Sequence, residues 1–83
     1  MAGKWDLLSI ARAEALFASG LSATAYTTEM EVTAAIRYAV VRYGGVRACA
    51  GEVAAAYGDH PDTAAPRMRW ARDVVLLVYS PTG

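Results

Sequence analysis

Cysteine, histidine and phenylalanine each occur once in the 83 residues. The lone Cys49 excludes an intrachain disulfide. A structural zinc site needs four ligands, and Cys49 with His60 eleven residues further on is no such set. Charged residues make up 19% of the chain, below the usual share of roughly 25%. Lys plus Arg equals Asp plus Glu, so the net charge is zero. A strong nucleic-acid binder carries a clear basic excess, and the whole chain has none. Met1 to Ile36 carries two basic against four acidic residues, and Arg37 to Gly83 carries six Arg against four acidic residues, a shift of charge that is permissive at most. No apolar run reaches the roughly 18 residues of a membrane helix; the longest is VVLLVY, Val74 to Tyr79. The start, MAGKWDLLSIARAE, lacks an apolar stretch of signal-peptide length. The expectation is a cytoplasmic protein with no membrane, metal or cofactor partner. Gly44-Gly45 lacks the flanks of a phosphate loop, and no Ser-His-Asp order or plausible carboxylate pair stands out. Without a convergent catalytic set, enzymatic activity is not expected.

What is present is apolar and small. Apolar residues are 55% of the chain, with alanine supplying the excess. Residues 1 to 83 read as one helical domain, within the usual size range of roughly 50 to 250 residues. Small side chains let helices approach closely while each contact buries little. A domain short of large side chains often completes its core with another subunit.

The punctuation predicts four helices. Asp6 caps the first, from Leu7 to about Ser19, with Trp5 as a staple on its first turn. Its expected inner face is Leu7, Ile10, Ala11, Phe17 and Ala18, and Gly20 is expected to end it in the left-handed conformation. TEME, Thr28 to Glu31, has the capping-box spacing and opens a second helix from Glu29 to Tyr43. Val32, Ile36, Ala39, Val40 and Tyr43 recur on one side of it, and Gly44-Gly45 stops it. The third, Val46 to Tyr57, carries Val46, Cys49, Ala50, Val53, Ala54 and Tyr57 as its stripe. Gly51 inside it suggests close approach of a neighbour, and Gly58 is expected to end it. Asp59 to Asp62 then forms a separate turn. Thr63 caps the fourth helix, which places Pro66 at its third position, where no intrahelical bond is lost. Met68, Ala71, Val74, Val75 and Val78 face the core. The expected fold is an all-α bundle whose last two helices form a helix-turn-helix-like pair.

The fourth helix holds the candidate sites. Leu76 and Leu77 point away from the expected core face, and an apolar residue left outside a small domain marks a contact surface. The predicted partner-binding residues are Arg69, Trp70, Arg72, Leu76, Leu77 and Tyr79, facing a protein partner or a second copy of the chain. Trp and Arg are enriched at such contacts, although Trp70 is also readable as the edge of the core. The alternative is DNA binding. Ala54 and Gly58 have the spacing of a helix-turn-helix, and Arg67, Arg69 and Arg72 would then meet phosphates or guanine edges. Pro66 within the recognition helix and Arg67 at an expected core position argue against it. His60 reads as a residue of the helix junction, and Cys49 as a small apolar filler.

The block GGVRACAGEVAAAYGDHPDTAAPRMRWAR resembles a group of short, uncharacterised actinomycete proteins of similar length. They share a GDHP-x-TA-x-x-RM-x-WA segment. Here it comprises Gly58, Asp59, His60, Pro61, Thr63, Ala64, Arg67, Met68, Trp70 and Ala71. The likeness extends upstream to ALFASGL, Ala15 to Leu21. No activity, ligand or partner attaches to the group, so the resemblance implies none here.

Overall fold

The computed structural model describes residues 6–24 and 27–79. Trp5 lies outside them. The described residues form four helices and no strand: α1 (Leu7–Ala18), α2 (Glu29–Tyr43), α3 (Val46–Asp59) and α4 (Pro61–Tyr79). They pack as an all-α bundle in which α1 contacts the other three, while α2 and α4 scarcely meet. No helix among the described residues is long and apolar enough to cross a membrane.

The starts of α1 and α2 follow local chemistry. Asp6 accepts a hydrogen bond from the Ser9 amide at 2.8 Å, which satisfies one of the orphan donors of the first turn. That bond holds the Asp6 carboxyl below its ordinary pKa. The capping box of α2 is complete. Thr28 Oγ1 accepts from the Glu31 amide at 3.2 Å, and Glu31 Oε1 accepts from the Thr28 amide at 2.9 Å. Gly44 ends α2 at φ 90°, a left-handed conformation that glycine adopts without steric cost. Gly45 follows at φ 133° and opens α3.

The end of α1 differs from the sequence expectation. Gly20 does not adopt the left-handed conformation; among the described residues only Gly44 and Gly45 have positive φ. Ser19 caps α1 in an extended conformation, and its hydroxyl donates to the Leu16 carbonyl at 2.6 Å. Further carbonyls at this end, those of Phe17 and Ser19, are met from α4, as described below.

The junction of α3 and α4 also differs. Gly58 lies inside α3, which runs to Asp59, and only His60 separates the two helices. The His60 amide donates to the Ala56 carbonyl at 2.7 Å, closing α3, while its own carbonyl accepts from the Ala64 amide at 2.9 Å, opening α4. Pro61 explains the economy. It restricts His60 to a non-helical conformation, observed at φ −142°, ψ 67°, and its own fixed φ suits the first helical position. Asp59 to Asp62 is therefore no separate turn. Thr63 is not the cap but a first-turn residue whose hydroxyl donates back to the His60 carbonyl. Pro66 consequently lies in the second turn of α4, where it brings no N–H to the Asp62 carbonyl.

The core has two parts. The larger joins Ala13, Leu16 and Phe17 of α1 to Val32, Val53, Ala64, Ala71 and Val75. The smaller holds Ala15, Ala39 and Cys49, where α1, α2 and α3 meet. Full burial of Leu16 or Val32 stabilises by about 1.5–3 kcal/mol each, so few residues carry much of the core. The expected inner face of α1 is corrected: Leu7, Leu8 and Ile10 are exposed. Arg12 lies over the ring of Tyr79, the last described residue of α4, at 4.0 Å. In α3, Cys49 and Val53 are buried, but Val46, Ala54 and Tyr57 are exposed. No atom approaches within 4 Å of a side chain placed at Gly51, so no close helix contact accounts for that glycine.

Candidate interaction surface

The seven side chains singled out on α4 separate into an inward and an outward set. Arg67 is the most constrained. Its Nε donates to the Phe17 carbonyl at 2.8 Å, and its Nη2 donates to the Ser19 and Leu21 carbonyls, each at 2.9 Å. A longer bond of 3.5 Å reaches the Leu16 carbonyl. These are orphan acceptors at and just beyond the end of α1, where the helix dipole favours a cation. The guanidinium also lies 4.8 Å from the centre of the Trp70 ring and 5.7 Å from that of Phe17. Burial pushes the Arg67 pKa down, yet arginine keeps its charge in proteins. Arg67 thus binds α1 to α4, with a planar fork that one lysine ammonium could not reproduce. Phe17 in turn stacks with Tyr57 at a centroid distance of 6.3 Å, joining α1 to α3.

Trp70 and Tyr79 are half-buried and pack on the larger core cluster. The Tyr79 hydroxyl shares a 2.6 Å hydrogen bond with Thr33 Oγ1, which ties α4 to α2, and its ring lies beneath Arg12. Leu76 is half-buried, and with Tyr57, Met68 and Arg69 it lines an open groove of about 300 Å³. Arg69 and Arg72 are exposed. Leu77 is 83% exposed, the most exposed apolar side chain on α4. The structure therefore brings Arg67, Trp70 and Tyr79 into the fold and leaves Arg69, Arg72 and Leu77 outward, with Leu76 between.

A second surface was not among the residues singled out from sequence. On α2, Met30 is 81% exposed, Val41 80% and Tyr38 59%, and Ala34 is exposed with them. These four fall at i, i+4, i+8 and i+11, within about 80° of one another around the helix. They form a stripe opposite the inward Val32 and Ala39. Glu31 and Arg42 lie together on one flank of the stripe, both exposed. On the other flank a groove of about 600 Å³ runs past Thr33, Ala34 and Arg37. The Arg42 guanidinium sits 5.5 Å from the centre of the Tyr43 ring, and hydrogen bonding to Tyr43 and Tyr38 raises its pKa. The signal was available: with Val32, Ile36, Ala39, Val40 and Tyr43 assigned inward, the other apolar residues of the same helix, Ala35 aside, form a second stripe.

Cys49 is buried beside Ala15 and Ala39, and burial pushes its thiol pKa up. Among the described residues, no three His, Cys, Asp or Glu side chains gather where they could share a metal ion. The chain matches no family model, no curated protein and no solved structure.

Proposed function

We propose that this protein is a small non-enzymatic helical interaction module that works by self-association. One observation carries the proposal: Met30, Val41 and Leu77 are each at least 80% exposed in a chain whose buried core is otherwise built largely from alanine and valine. Large apolar side chains grouped on a surface are the usual mark of a protein contact. Sequence alone pointed to α4 for this contact. Leu76 and Leu77, rimmed by Arg69 and Arg72, remain candidate contact residues there. Trp70 and Tyr79 support it less, because each already has partners within the chain.

DNA binding through α4 has weaker support. The Arg67 fork is engaged by the α1 carbonyls, and a single residue joins α3 to α4 where a helix-turn-helix has a turn of three or four.

Sedimentation velocity of the purified chain across about 1–200 μM tests the proposal, a range that brackets contacts of micromolar affinity. The expected result is a mass that rises above 8.8 kDa with concentration. A constant monomer mass throughout would overturn self-association.

A further inference from the structure

We infer that the second copy docks on α2, as an antiparallel two-fold pair in which the α2 stripes of the two chains face each other. This rests on the self-association proposed above and adds the surface, the orientation and the register.

The stripe is apolar and exposed along the helix, from Met30 at one end to Val41 at the other. Met30, Ala34, Tyr38 and Val41 follow a 4-4-3 spacing along one face, the pattern by which one helix packs along another. The charges select the occupant. The first turn of α2 carries Glu29 and Glu31, and its last turn carries Arg42. A parallel copy would set acid against acid and base against base. An antiparallel copy sets acid against base at both ends and also opposes the two helix dipoles favourably.

A two-fold axis perpendicular to both helices brings the same flank of each copy together. Glu31 and Arg42 share a flank, about 20° apart around the helix. With the axis near residue 36, Glu31 of each chain meets Arg42 of the other, twice over. The same register sets the small Ala34 against the large Tyr38, and Met30 against Val41. An isologous contact requires a surface complementary to itself, and the apolar stripe of α2 with its Glu31–Arg42 flank meets that requirement. Its capping role leaves Glu31 able to serve here, because only Oε1 is bonded to the Thr28 amide. The α4 surface has no such internal match: Leu77 stands beside no second apolar side chain of comparable exposure on that helix. A pair of fifteen-residue helices gives a contact at the low end of specific interfaces, below about 1,200 Å². Contacts of that size are typical of weak, transient association.

Charge exchange tests the register. Arg42→Glu and Glu31→Arg are each expected to weaken self-association at least tenfold by sedimentation velocity. Their equimolar mixture is expected to associate like the wild type, since one of the two pairs is then the native one and the other is restored with its sign reversed. Tyr38→Ala touches neither the helix cap nor a buried residue, and it is expected to weaken association as well. Helical circular dichroism of every variant separates lost contact from lost fold. A wild type that remains monomeric overturns both this inference and the self-association beneath it. Association that survives Arg42→Glu and Tyr38→Ala but is lost in Leu77→Asp overturns the α2 register alone, and moves the contact to α4. Two weakened variants that fail to recover on mixing also overturn the register.

Discussion

Replacing Arg67 by alanine removes one side chain and orphans carbonyls on both sides of the end of α1. The guanidinium makes close bonds to Phe17, Ser19 and Leu21 and bridges α4 to α1. Hydrogen bonds from a charged donor contribute about 1.5–3 kcal/mol, so Arg67→Ala is expected to cost about 2–3 kcal/mol in urea unfolding. Water reaches the exposed part of the site and limits the loss. Arg67→Lys restores the charge without the fork, and it is expected to recover less than half of that stability. Cys49 gives a second residue-scale test. Its thiol is pushed above the ordinary value by burial first, then by Glu14 and Glu52. The unfolded chain therefore loses its thiol proton at lower pH than the folded one. The contribution is intact below the ordinary thiol range near 8.5, and it is lost as pH rises through that value towards the folded pKa. Unfolding measured from pH 7.5 to 9.5 should show wild-type stability falling more steeply than that of Cys49→Ala. Equal slopes would show that the buried thiol does not resist ionisation.

Helix α4 contains its own weak point. Pro66 stands in the second turn, where it leaves the Asp62 carbonyl without an amide donor. Proline in a helix interior costs about 3 kcal/mol, offset in part by its restriction of the unfolded chain. Pro66→Ala is expected to raise stability by about 1–2 kcal/mol in urea unfolding. Gly51→Ala in α3 should add up to about 1 kcal/mol by the same measurement, because open space surrounds the site. The sequence pattern located the helices well wherever their ends are set by adjacent residues. Thr28 with Glu31, and Gly44 with Gly45, act within a few positions of themselves and were legible. The end of α1 was not, because Arg67 lies 48 residues from Ser19 and completes that terminus through space. The α3–α4 junction was misread for a subtler reason. Gly58 is a good local stop signal and Thr63 a good local start signal, but Pro61 fixes the first helical position ahead of Thr63. The outward role of Leu77 was legible from periodicity. The α2 stripe was equally periodic but was masked by the better inward stripe beside it. The inward turn of Trp70 and Tyr79 depended on Arg67, Arg12 and Thr33, partners on other parts of the fold.

At the scale of the molecule, the proposed pairing predicts that stability depends on association. Among the described residues, five of the eleven buried apolar positions are alanine, so much of the interior is close contact with little burial per residue. A domain of this length buries only about 60% of the surface exposed by its unfolded chain, which leaves a thin margin. Met30, Tyr38 and Val41 are mostly exposed in the monomer and are the side chains the proposed pair would cover. A contact present only in the folded state stabilises that state by mass action. With a dissociation constant near 10 μM, raising the chain from about 5 to 200 μM adds roughly 1 kcal/mol. For a domain of 60–100 residues that corresponds to a rise in Tm of about 5 °C or more. The wild type should show this rise in melts followed by circular dichroism. Arg42→Glu should melt at nearly the same temperature at both concentrations. The comparison distinguishes a weak fold from a fold whose contact is missing. A variant damaged within the monomer melts low at both concentrations, whereas one damaged only at the contact matches the wild type when dilute and falls behind it when concentrated. Equal melting of wild type and Arg42→Glu at high concentration, with sedimentation showing both associated, would mean that the stabilising contact lies away from the α2 flank that carries Glu31 and Arg42.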